Sequence, residues 1–295
     1  MKPHRASTLL IIIIILATWL GVAVANDPDP EWPVRGVDKI PEVEVDRSAR
    51  IQQHVQRIFE SPHAFTGDER TPFAPGNGAC NACHGSGMDT LFNIEEETPE
   101  RLNEPCLECH EEGARRHWKG SAHEFSGLAC INCHSMHNTR DKLLKADSQL
   151  EVCGSCHLDR RADFGKPSHH PVPEGSMECT DCHNPHGTPG PKLLVGHTRN
   201  ETCYRCHAEK RGPFLWEHNP AREACTECHD PHGSIHRPLL TTRPPMLCQQ
   251  CHLGSHSDTA LNGAGRDFRV QGRSCLNCHS QVHGTNHPRG RFLTE

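Results

Sequence analysis

The sequence predicts a mostly irregular chain with short α-helices and little or no β-sheet, arranged as an elongated, quasi-linear stack of repeated units. Three observations predict it. All 18 cysteines of the 295 residues fall into copies of one spacing, C-x-x-C-H, with none left over. The copies recur at near-constant intervals, as in arrays whose units touch chiefly their neighbours. Only 34% of the residues are hydrophobic and 5% aromatic, too little to fill an ordinary core in a chain of this length.

The nine copies supply the cysteine pairs Cys80 and Cys83, Cys106 and Cys109, Cys130 and Cys133, Cys153 and Cys156, Cys179 and Cys182, Cys203 and Cys206, Cys225 and Cys228, Cys248 and Cys251, and Cys275 and Cys278. The histidines that close them are His84, His110, His134, His157, His183, His207, His229, His252 and His279. C-x-x-C-H is the attachment sequence of c-type haem: two thiols add to the porphyrin vinyl groups, and the next residue reaches the iron from the same turn. Zinc ribbons, redox dithiols and disulfide frameworks also use paired cysteines, but none requires a histidine after every second one. The expected cofactor is therefore nine covalently bound haem c, and the fold class a multihaem cytochrome c.

The first cysteines of alternate motifs step by 50, 49, 46 and 50 residues from Cys80 to Cys275, and by 47, 50 and 45 from Cys106 to Cys248. The repeat is thus a pair of haems. Histidines recur at fixed offsets: His123, His170 and His218 stand seven, nine and seven residues ahead of Cys130, Cys179 and Cys225. His137, His186 and His232 follow the motif histidine by three, and His283 by four. Three units share nearly the same text, CHSMHN, CHNPHGT and CHDPHGS. A low-spin electron-transfer haem needs a sixth ligand, which an imidazole supplies. The expected distal set is His63, His123, His137, His170, His186, His218, His232, His256 and His283, with His54, His117, His169, His197, His236 and His287 as substitutes or outer residues. A bis-histidine set implies comparatively low potentials. Gly87 stands where other units place the downstream histidine, marking the first motif as the one place for an open iron.

Pro, Gly, Asn, Asp and charged residues dominate between motifs, so turns and short helices should connect them. The best helix candidate is Asp46 to Glu60, with Ile51, Val55, Ile58 and Phe59 on one face. With about 30 residues per haem in the mature chain, folding should depend on haem and the apoprotein should be largely disordered. Lys2, His4 and Arg5 precede an apolar run from Leu9 to Val24, and Ala23-Val24-Ala25 suits signal peptidase. A signal peptide over 1–25, cleaved after Ala25, is expected; the alternative is an uncleaved anchor. Cleavage takes the formal charge from −6 to −8, and no basic stripe argues for nucleic acid.

The stretches Pro167 to Thr188, Cys203 to His218, Arg243 to His252 and Gly272 to Pro288 resemble the MtrA and DmsE family of periplasmic decahaem cytochromes, a likeness extending from about Asp46 to the end. It implies a molecular wire, without a substrate site of its own, that inserts in an outer-membrane β-barrel porin. The wire would take electrons from a periplasmic or inner-membrane cytochrome and exchange them with an outer-surface multihaem cytochrome or extracellular reductase. Extracellular metal reduction, dimethyl sulfoxide respiration and iron oxidation all fit that scheme. The departure is at the N-terminus, where a tenth motif should precede Cys80 but Val45 to Ala49 reads VDRSA. The expected organisation is the signal peptide, an N-terminal segment 26–79 lacking the family's first motif, and a nine-haem domain 80–295. A soluble periplasmic shuttle to a terminal reductase is the alternative function, and a multihaem nitrogen-compound oxidoreductase a more distant one.

Overall fold

The computed structural model describes residues 47–85, 96–253 and 273–294, all within the compact unit Arg47–Glu295. The expected signal peptide, Val45 and Asp46 at the start of the stretch expected to carry a tenth motif, Gly87 and the candidate ligand His256 lie outside the described residues. The helices are short: α1 Arg47–Ile58, α2 Asn81–His84, α3 Pro99–Leu107, α4 Ala122–Phe125, α5 Gln149–Gly154, α6 Leu158–Asp163, α7 Arg199–Tyr204, α8 Asn219–Glu223 and α9 Met246–Gln249. Among the described residues there is no strand, only isolated bridges such as His134 to Leu144 and His183 to Leu194. None of their helices is long and apolar enough to cross a membrane.

The second, fourth and sixth motifs begin inside capped helices. Thr98 accepts a hydrogen bond from the Arg101 backbone ahead of α3. Ser148 with Glu151 and Thr198 with Glu201 form reciprocal capping boxes ahead of α5 and α7, which satisfies amide donors that a helix start leaves open. The third, fifth, seventh and ninth motifs open instead on single 3-10 turns, Cys130–Asn132, Cys179–Asp181, Cys225–Glu227 and Cys275–Asn277.

Buried side chains clamp the two kinds of motif together. The Asn103 carbonyl in α3 accepts from Cys130 N at 2.7 Å, and Asn200 in α7 accepts from Cys225 N at 2.8 Å. Gln149 in α5 accepts from Thr180 N at 3.0 Å and donates to Glu178 at 2.8 Å. A hook follows each 3-10 motif, where Leu143, Leu193, Leu239 and Leu293 adopt φ of 53°, 59°, 55° and 57°. A left-handed conformation is costly for a branched side chain. It is held because the carbonyl of each of these leucines accepts a backbone N–H just past the motif, from Ser135, Asn184, Asp230 and Gln281.

Leu102, Trp118, Ala129, Leu143, Phe164 and Leu240 are buried, yet among the described residues no side chain is completely so. The protein interior is therefore thin, as its composition requires. In α1 only Ile58 of the expected apolar face is buried, while Ile51 and Val55 are exposed and Phe59 packs edge-on against Phe73. The helix bears on the rest of the unit along the edge shared by His54 and Ile58, one turn apart.

Candidate functional site

Each motif is closed by the same backbone bond. The histidine N–H donates to the carbonyl of the first cysteine at 2.9–3.0 Å in all nine. That single helical turn puts two sulfur atoms and one imidazole on one side of the chain. All 18 cysteines are unpaired thiols, and their Sγ atoms stand in for the thioether sulfurs of an attached porphyrin.

Among the described residues, each of eight motif histidines faces a second histidine. The ring centroids are 6.0 Å apart for His84 with His137 and for His63 with His110. They are 6.1 Å apart for His134 with His186, His183 with His232, His218 with His252 and His229 with His283. His123 and His157 stand at 6.2 Å, and His170 and His207 at 6.4 Å. Two metal–nitrogen bonds of about 2 Å, plus the reach from each nitrogen to its ring centre, put two imidazoles on one metal about 6 Å apart. The residues therefore fit a six-coordinate haem iron at each pair.

The partners follow two rules. Counted along the chain, the odd-numbered motif histidines His84, His134, His183 and His229 face the histidine that follows the motif two places on. The even-numbered His110, His157, His207 and His252 face the histidine that precedes the motif just before their own. Gly87 thereby takes a different meaning: a histidine at that position would serve a motif two places before the first, and the chain has none. His84 has His137. The rules offer no histidine to His279, whose sequence candidate His256 is outside the described residues.

Carbonyl oxygens fix the tautomers. Nδ1–H of the motif histidines His134, His183, His229 and His279 donates to the carbonyls of Lys142, Lys192, Pro238 and Phe292 at 2.6–3.0 Å, each one residue before the left-handed leucine. Nδ1–H of His123, His170 and His218 donates to Pro185, Pro231 and Val282 at 2.7–2.9 Å. Since a carbonyl only accepts, Nε2 is left as the free lone pair for a metal. Burial lowers the pKa values of His63, His84, His110, His229, His232 and His283, and holds His186 at about 4, which keeps these rings in the neutral, ligating form.

Cysteine contacts set the order of the sites. Cys83 lies within electrostatic reach of Cys109, Cys133 of Cys156, Cys182 of Cys203 and Cys206, and Cys228 of Cys251. Side-chain hydrogen bonds join Cys106 to Cys130, Cys153 to Cys179, Cys203 to Cys225 and Cys248 to Cys275. Those bonds raise the thiol pKa values of Cys106, Cys153 and Cys203 and lower those of Cys130, Cys179 and Cys225. Second cysteines bridge the first site to the second, first cysteines the second to the third, and so on to the ninth. Every consecutive pair of motifs is thus linked through its thiols, by a hydrogen bond or within electrostatic reach.

Sequence reasoning had not picked out the clamps Asn103, Gln149 and Asn200, nor the carbonyl hooks, although the text KLL, KLL and PLL at 142–144, 192–194 and 238–240 marks three of them. Of the substitute histidines, His169 pairs with Glu174 at 3.0 Å, and His54 lies flat on His137 at 4.5 Å.

Residues 123–162, 169–212 and 218–255 match the doubled CXXCH motif family. The chain is similar to the high-molecular-weight cytochrome c of Nitratidesulfovibrio vulgaris (Hildenborough), 28% identical over 226 residues that cover 74% of this chain and 34% of that protein. It is 43% identical over 259 residues to the multiheme cytochrome MtrA of Shewanella baltica (strain OS185), covering 82% of this chain and 77% of that relative. With paired thiols and facing imidazoles repeated along its length, the chain belongs to the MtrA-like family of multihaem c-type cytochromes, electron-transfer proteins with covalently bound haem c.

Proposed function

We propose that the chain carries nine haems c and conducts electrons along them in sequence order, as a conduit between the periplasm and the cell exterior within an outer-membrane porin complex. The observation that carries this reading is the unbroken succession of neighbouring thiols from each motif to the next. When bound, each haem iron takes up and releases one electron without bond-breaking. The chain's own residues do the rest. Motif cysteines tether the rings, motif histidines supply one axial nitrogen, and His137, His63, His186, His123, His232, His170, His283 and His218 supply the other for the first eight sites in order. For the ninth we assign His256, the remaining histidine of the sequence-derived set.

A facing imidazole at a site leaves no coordination position for a substrate, which supports an electron carrier over a nitrogen-compound oxidoreductase. Export by a signal peptide cleaved after Ala25, a periplasmic location, and partners comprising a β-barrel porin, an outer-surface cytochrome or reductase and a periplasmic or inner-membrane cytochrome donor complete the reading. Two measurements test it. Intact-mass analysis of the holoprotein should give nine haem equivalents. Affinity isolation from detergent-solubilised outer membranes should recover a β-barrel protein in fixed stoichiometry, whereas a freely soluble monomer with no barrel partner would overturn the conduit in favour of a shuttle.

A further inference from the structure

We propose that His54, on α1, is a positioning residue that turns the ligand plane of the first site out of the parallel arrangement found at the later odd-numbered sites. The proposal rests on the pairing of His84 with His137. At the third, fifth and seventh sites the paired imidazoles are nearly parallel, with interplanar angles of 14°, 14° and 12°. At the first site the angle between His84 and His137 is 62°.

The neighbouring ring accounts for the difference. His186 and His232 have an aromatic beside them, but Trp118 is tilted by 57° at 6.4 Å and Phe164 stands edge-on, 85° at 5.8 Å. Neither dictates the plane of the histidine it touches. His54 instead lies flat on His137, 4.5 Å away and 12° from parallel. Nδ1 of His137 also donates to the His54 carbonyl at 3.1 Å. One residue thus fixes both the plane and the tautomer of the ligand, so His137 follows His54 rather than His84.

The residue after the ligand fits this account. Gly187 and Gly233 follow His186 and His232, and a Cβ there would run into the carbonyls of His117 and Asp163, just before Trp118 and Phe164. Asn138 follows His137. At the first site α1 meets the imidazole itself, and its neighbour is free to carry a side chain whose amide binds the carbonyls of Ser135 and Leu144.

Plane angle has an electronic consequence. Parallel imidazoles donate π density into the same iron d orbital and split it from its partner. Crossed imidazoles act on both and leave them closer in energy, which enlarges the anisotropy of the g-tensor. The first site should therefore resemble the even-numbered sites His110 with His63 and His157 with His123, crossed at 90° and 54°, rather than its odd-numbered counterparts.

The test is electron paramagnetic resonance of the oxidised holoprotein. His54→Ala should remove one haem's worth of the large-g signal and add one to the rhombic class, with no high-spin signal. His54→Phe, which keeps a flat ring over His137, should retain the wild-type spectrum. An unchanged His54→Ala spectrum overturns the proposal. His137→Ala separates this from the underlying pairing: it should make one haem high-spin, and if every haem stays low-spin the assignment of His137 itself is wrong.

Discussion

His229 and His283 stand 6.1 Å apart with planes 12° from parallel, although they belong to the seventh and ninth motifs. On the proposed pairing, the ligand of one site is carried by the loop of another. His283→Ala should open the seventh site and leave the ninth intact, since His279 keeps its Nδ1 bond to Phe292. The expected outcome is one high-spin haem and about one equivalent of carbon monoxide bound per reduced molecule, read by resonance and optical titration. No carbon monoxide binding would contradict the cross-motif rule.

Asn200 accepts from Cys225 N and donates to the carbonyls of Ala221 and Arg222 at 3.2 and 2.9 Å while buried. Asn200→Ala leaves a backbone N–H and two carbonyls without that partner. The expected cost is about 2–3 kcal/mol, given the penalty for stranding buried polar groups. Denaturant unfolding followed at the haem absorption band measures it. The unit starting at Cys248 has Pro245 three residues ahead of its cysteine, where Asn103 and Asn200 stand in theirs, so no equivalent variant exists there.

Asp68 accepts from the Arg70 side chain at 2.9 and 2.6 Å and from its backbone N at 3.0 Å. The hydrogen bonds from Arg70 hold its carboxyl at about 2, below the ordinary 3.8. A depressed folded pKa contributes stability above the unfolded value and loses it as pH falls through the folded one. The turn over 65–79 should therefore keep its order down to pH about 3.8 and loosen towards pH about 2. Arg70→Ala should move the midpoint of the Asp68 carboxyl upward, towards 3.8, in a carbon-detected NMR titration. Because Arg70 is exposed and Asp68 only half-buried, global stability should change little.

Cysteines and motif histidines were legible because covalent chemistry fixes their spacing, and the offset histidines because they recur. Which ligand serves which site was not legible, since the pairing skips between motifs and no local pattern encodes it. Gly87 shows the cost: read locally it marks a deficient first site, whereas the cross-motif rule removes any need for a histidine there. The hooks were hidden for another reason. Leu143, Leu193, Leu239 and Leu293 sit at positive φ, where sequence reasoning expects glycine or asparagine. In α1 the amphipathic spacing foretold the helix, but its contact edge is set by His54 and Ile58, not by Ile51 and Val55.

Gly233 follows His232, and a Cβ on it would clash with the carbonyl oxygen and carbon of Asp163. That carbonyl is fixed by the Lys166 backbone N–H at 3.0 Å, and Lys166 Nζ in turn donates to the Gly233 carbonyl at 3.3 Å. Neither side can yield without moving His232, which faces His183. Gly233→Ala should therefore cost about 3 kcal/mol or more, as overpacking against backbone does, and shift the resonance signal of the fifth site. Gly175→Ala is the informative contrast. Its φ is +72° but a Cβ there meets nothing within 4 Å, so only the left-handed backbone penalty applies, about 1–2 kcal/mol. Denaturation should rank Gly233→Ala as the more damaging, and only Gly233→Ala should alter a haem spectrum. Equal losses with unchanged spectra would mean that the contact with Asp163 does not hold His232 in place.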